Sequence, residues 1–171
     1  MIPYPSTQVA NWFLLRAKPN GKRIKTQKLI KLVYIAHGWH LALTNGKPLV
    51  SEDLQAWKFG AVFPELYHRI KRFGSGEMEE LIGSSNEGKW EILSIPENDY
   101  NRQQLLEEVY KSYVDYKDES FYSICHADDT PWAKRWGEMQ KVGMTQSQID
   151  PLDIEYFFKS LIQRVKYEER I

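Results

Sequence analysis

A mainly α-helical fold around one buried central helix, with a small β element, is what this sequence predicts, on three observations. The stretch Thr26 to Thr44, TQKLIKLVYIAHGWHLALT, carries apolar residues at helical spacing on two adjoining stripes: Leu29, Leu32, Val33, Ala36 and Leu43, then Ile30, Tyr34, His37 and Leu41. A helix apolar nearly all round is buried, whereas the flanking stretches keep their apolar residues to one side and read as helices packed upon it. Only short segments around Ala56 and Trp90 have the character of strands, enough for a small sheet at best.

In the central helix Lys28 and Lys31 fall in the first turns, so the helix is expected to enter from a wet end, with Thr26 as N-cap and Asn45-Gly46 as its stop. Ser6 or Thr7 can cap a first helix bearing Val9, Trp12, Phe13 and Ala17 on one face, ended by Pro19-Asn20-Gly21 and expected to lie on the central one. From Lys47 to Gly60 the chain turns extended, and Leu54 to Phe59 predicts a mostly covered strand. Pro64 suits the first position of the next helix, whose Leu66, Tyr67, Ile70 and Phe73 give a buried face before Gly74 and Gly76. Ser84 to Gly88 reads as loop, and Trp90, Ile92 and Leu93 as a strand pairing with the segment around Trp57. Ser94-Ile95-Pro96-Glu97 fits a capping box for a helix with Leu105, Leu106, Val109, Tyr110, Tyr113 and Val114 on one side. Asp118 caps a shorter helix, Thr130-Pro131 starts another with Trp132 and Trp136, and Asp150-Pro151 opens a C-terminal helix over about 151–167.

The 171 residues, 42% apolar and 27% charged, fit one soluble domain over 1–171 with a sizeable core. Lys plus Arg equals Asp plus Glu at 23 each, which excludes an overall basic field for nucleic acid or an anionic membrane. One cysteine, Cys125, excludes an intrachain disulfide framework and fits a reducing compartment. The start, MIPYPSTQVANW, lacks signal-peptide character, and no stretch nears the roughly 20 apolar residues of a bilayer span. A cytoplasmic location with no membrane partner is the expectation.

The residues that invite chemistry have plainer readings beside them. His37 and His40, three apart on a helix, can face one point as metal ligands do, yet His68 and His126 lie on other segments and no Cys pair or HExxH completes a site. Hydrogen-bonded imidazoles in an apolar helix are the expectation, with a metal enzyme using His37/His40 the alternative. Cys125-His126 suggests a thiol nucleophile, with Asp128 or Asp129 as orienting acid. Neighbours on a helix, however, point about 100° apart. The loop Lys18 to Lys28 holds five positive charges (Lys18, Lys22, Arg23, Lys25 and Lys28) and no acidic residue, so a regulator contacting phosphates is the second alternative, against a solvated helix approach. No phosphate loop, dinucleotide fingerprint or nucleophile elbow is present. The six tryptophans are expected mainly in the core. No catalytic residue, metal or cofactor is assigned.

Three ordered motifs carry a resemblance: KLIKLVYIAHGWHLAL at 28–43, AWKFGAVFPELYHRIKRFGSG at 56–76 and HADDTPW at 126–132. Spanning about Val9 to Trp136, they resemble the Panacea domain of SocA-like antitoxins and phage-associated GepA-type proteins. Gly38 then permits close approach to the central helix, Gly60 permits a turn, Trp39, Trp57 and Trp132 belong to the structural motifs with Pro64 and Pro131, and His126 fixes the start of the Pro131 helix. Ala61, where the family commonly has Pro, and Phe63 depart from its pattern.

The resemblance implies an antitoxin that binds and neutralises a cognate toxin, by stoichiometric binding or as an adapter handing the toxin to a cytosolic protease. It implies no enzyme, and no sequence-specific nucleic-acid binding is expected of the chain alone. A toxin-specific surface is expected outside the buried motifs. Phe63 and Tyr67 in the turn Phe59 to Tyr67, and Tyr156 and Arg164 on the C-terminal helix, are the expected contacts; Phe157, Leu161 and Val165 fall on one line of that helix, of which Phe157 and Leu161 are expected to close the core.

Overall fold

The computed structural model describes residues 2–86 and 89–168, with side chains for all of these except 84–86 and 165–168. Seven α-helices are described: α1 Ser6–Ala17, α2 Thr26–Leu43, α3 Pro64–Ile70, α4 Tyr100–Tyr113, α5 Asp118–Cys125, α6 Pro131–Lys141 and α7 Pro151–Glu168. Single 3-10 turns extend α1 at Lys18–Asn20 and α3 at Lys71–Phe73.

Helix α2 is the axis of the fold. Of its 18 residues, 14 are buried, so it retains no solvated face, and α1, α3, α4, α5 and α7 all pack against it. Val9, Phe13 and Ala17 of α1, Leu106 and Val109 of α4, Phe121 of α5 and Ile154 and Phe158 of α7 join one continuous apolar cluster with it. Leu43, expected on the buried stripe, is exposed, although His40, Leu41 and Ala42 of the same turn are buried.

A three-stranded antiparallel sheet flanks α2. Its order is β2-β1-β5, with β1 at Gln55–Trp57, β2 at Gly60–Val62 and β5 at Ser147–Gln148. Ala56 pairs with Ala61 on one side and Ser147 on the other. The segment at Trp90 was expected to pair near Trp57. Instead β4 (Lys89–Glu91) forms a separate hairpin with β3 (Ser84–Asn86), within the stretch that reads as loop. Glu87 and Gly88 of that stretch and the end of the charged tail lie outside the described residues, as does the Val165 side chain. Two-residue β5 is too short to leave a periodic signature, so the third strand was invisible in the pattern.

Several helix starts differ from their local signatures because distant groups supply the caps. The Glu52 carboxylate, not a local hydroxyl, accepts the Ser6 backbone N–H at 3.0 Å and its hydroxyl at 2.7 Å. Thr26 is the first residue of α2 rather than its cap, and its hydroxyl donates to the Gly74 carbonyl at 2.7 Å. Helix α4 starts at Tyr100 behind Asp99, so the Ser94–Glu97 capping box is not used. Asp99 also accepts from Tyr4 Oη at 2.9 Å and Arg102 at 2.7 Å. Asp118 lies inside α5 behind Lys117, and its carboxylate pairs with Lys25. Thr130 and Asp150 do cap α6 and α7, accepting from Ala133 N–H at 3.2 Å and Leu152 N–H at 2.8 Å.

Candidate functional site

Residues from the second and third motifs meet at one corner of α2. Gly60 opens β2 with φ of 125°, a conformation that side-chain-bearing residues avoid, and a Cβ there would stand 3.0 Å from His126 Nε2 and 3.2 Å from Lys31 Nζ. Trp132 lies edge-on to His126 with centroids 4.4 Å apart, and its Nε1 donates to the Trp57 carbonyl at 2.8 Å, tying α6 to the β1–β2 hairpin. Tyr122 stacks on His126 at 3.7 Å. The His126 Nδ1–H donates to the Tyr122 carbonyl at 2.8 Å, so the ring closes the end of α5 rather than fixing the start of α6, which Thr130 holds. Nε2 is buried and makes no hydrogen bond of normal geometry, with the Phe59 backbone carbonyl on its side of the ring.

Beside it stands a buried cation. Lys31 was expected at a wet helix entrance, yet only 4% of it is exposed, because α5 and the β1–β2 hairpin cover this side of α2. Burial lowers its pKa, countered in part by Cys125. Burial pushes the Cys125 thiol up to about 11, so it supplies no negative charge at neutral pH. The Lys31 ammonium lies 5.2 Å from the Tyr122 ring centroid, and among the described residues it has no ion-pair partner. The Tyr34 hydroxyl, one turn along α2, is also buried and unpartnered. Lys31 and Tyr122 line a groove of about 520 Å³ whose rim includes Lys25, Lys28, Asp118, Glu119 and Phe121.

His37 and His40, the pair that the metal alternative would use, are engaged in hydrogen bonds. His37 Nδ1 accepts the Val50 N–H at 3.2 Å, and His40 Nδ1–H donates to the Lys47 carbonyl at 2.7 Å while its Nε2 faces Arg102 Nε at 3.4 Å. Burial drives the His37 pKa down to about 3, so it is a neutral ring. Among the described residues no group of three His, Cys, Asp or Glu side chains is placed to hold a metal. The basic loop is largely neutralised: Lys22 pairs with Asp115, Arg23 with Glu77 and Lys25 with Asp118. Lys28 donates to the Val114 carbonyl at 2.8 Å and to that of Tyr116 at 2.5 Å.

The expected partner contacts separate. Phe63 is 0% exposed and packs edge-on against His37 with centroids 5.4 Å apart, so it is a core residue and no surface contact. The bulky residue before Pro64 fills space under the hairpin, whereas Phe59 at the hairpin turn is 65% exposed. Tyr67 is half-buried against Trp57 at 5.0 Å. Tyr156 is 78% exposed, one turn from the also exposed Leu152. Arg164 pairs with Asp129 at 2.9 Å, joining α7 to the α5–α6 connection. Phe157 and Leu161 pack against the core. Gly38 receives the Phe158 ring of α7, which also meets Trp39 edge-on at 5.2 Å. Pro64 and Pro131 occupy the first turns of α3 and α6. Lys31 and Tyr122 escaped sequence reasoning. The one available signal was a lysine inside a run apolar on every side.

The family model for the SocA-like antitoxin, Panacea domain, matches residues 29–133, which takes in Lys31, Gly60, Tyr122, His126 and Trp132. Antitoxin SocA of Caulobacter vibrioides (strain NA1000 / CB15N) is 30% identical over 125 residues, which cover 72% of this chain and 66% of the relative. No solved structure matches. Among the described residues no helix is long and apolar enough to cross a membrane. With motifs brought together around one buried helix and a family match across more than half its length, this chain belongs to the SocA-like Panacea antitoxin family.

Proposed function

We propose that this chain is an antitoxin that binds a cognate toxin protein and neutralises it by stoichiometric contact or by carrying it, as an adapter, to a cytosolic protease. The supporting observation is the likeness over 125 residues to a protein named Antitoxin SocA. In this reading the chain works in the cytoplasm without a cofactor and is not an enzyme. His37 and His40 are taken up by hydrogen bonds, and Cys125 is a buried neutral thiol, which suits a binding protein.

The proposed contact face uses Tyr67, Tyr156 and Arg164, with exposed Phe59 in the role first expected of Phe63. Aromatic and arginine side chains that bury large areas at little entropic cost are favoured at protein interfaces. The test co-expresses the chain with the protein encoded by the adjoining gene. Growth rescue and a co-purifying complex are expected, with Phe59→Ala and Tyr156→Ala each weakening the complex about tenfold or more at unchanged melting temperature. Rescue that disappears in a protease-deficient host while the complex persists selects the adapter route. A toxic neighbour that is neither bound nor rescued would sink the reading.

A further inference from the structure

We propose that the groove between α2 and α5 is a receptor for one carboxylate side chain of the bound protein, with Lys31 as its charge partner; this rests on the partner-binding reading above. Lys31 is buried and has no counter-charge among the described residues, an arrangement that costs free energy in the free chain and is relieved when an anion arrives. A lysine ammonium has three donors. At least one is available to an incoming oxygen, and Lys31 Nζ and His126 Nε2 flank the space over Gly60 from two sides.

The surroundings favour a carboxylate over a phosphate. Lys25 on the rim is already paired with Asp118 at 2.7 Å, and the Lys28 ammonium is held by two backbone carbonyls. One uncompensated buried cation therefore remains, matching a monovalent anion. A phosphate dianion would also meet Asp118 and Glu119 at the rim. Phe121 and Tyr122 offer apolar walls for a hydrocarbon stem, as an acidic side chain has and a free phosphate lacks.

The test is an NMR titration of the full chain, following the His126 and Tyr122 ring signals. The probes are N-acetylglutamate methylamide, its neutral glutamine counterpart and inorganic phosphate. The glutamate probe is expected to shift both rings saturably and at least tenfold more tightly than either control. Lys31→Met should abolish the response without lowering the melting temperature, since methionine keeps the stem and removes the buried charge. A wild-type chain that ignores the glutamate probe, or answers phosphate or the glutamine probe equally, overturns the proposal, and this part needs no variant. A lower melting temperature for Lys31→Met also overturns it by marking Lys31 as a structural residue. If the adjoining gene's product is not bound at all, the antitoxin reading fails, whatever the probe does. If that product binds Lys31→Met as tightly as wild type, the antitoxin reading stands and the carboxylate site is wrong.

Discussion

The ring of Phe158 occupies the space beside Gly38, with Cε2 only 2.0 Å from where a Cβ would stand. The central helix and the last helix thus touch through a position that tolerates no side chain. Gly38→Ala gains about 1 kcal/mol of helix propensity but forces the aromatic ring out, for a net loss of about 2 kcal/mol. Chemical denaturation should show this. Combined with Phe158→Leu, the loss should be smaller than the sum of the two single losses, because the shorter side chain leaves room for the methyl. Additive losses would mean that the contact is not the cause.

His37 makes stability depend on pH. Its folded pKa is depressed to about 3, while in the unfolded chain it titrates near about 6.5. Between these values the unfolded state binds the extra proton, so stability is full above the unfolded pKa and falls as pH drops through the window toward the folded pKa. The slope from this group is about 1.4 kcal/mol per pH unit. His37→Asn, which retains an acceptor near the Val50 N–H, should be less stable at pH 7 yet lose about one proton from the pH dependence between pH 6 and 4. An unchanged slope would assign the acid sensitivity to other groups.

Asn11 ties three segments together. Buried on α1, it donates to the Ile82 and Leu93 carbonyls and accepts the Ile82 N–H, each at 2.8 Å. Asn11→Leu strands those backbone groups and should cost about 3 kcal/mol. Hydrogen exchange should quicken first at Ile82. Uniform quickening across α2 instead would show that the bridge is part of the global folding unit.

The basic loop should contribute little to DNA binding. Lys22, Arg23 and Lys25 already face carboxylates, so few counterions are released when phosphates approach. Alanine at all three is expected to leave mobility shifts with promoter DNA unchanged, with no sequence-specific complex formed by either protein. A nanomolar, salt-sensitive, promoter-specific shift lost in the triple variant would reverse this.

Helix positions and the buried identity of α2 were legible from the sequence because apolar periodicity is local: each stripe from Leu29 to Leu41 records which side of the helix meets protein. Pro64, Thr130 and Asp150 likewise announced helix starts, since their effects act within a few residues. Tertiary structure alone decided the rest. Glu52 capping α1, Ser147 completing the sheet and the burial of Phe63 depend on partners far along the chain, whose approach no local pattern encodes. Lys31 is the sharpest case. Its charge and its place in the first turns of α2 point to open water, but the covering by α5 and the Gly60 turn leaves it only 4% exposed, and burial of a residue is a property of what packs over it.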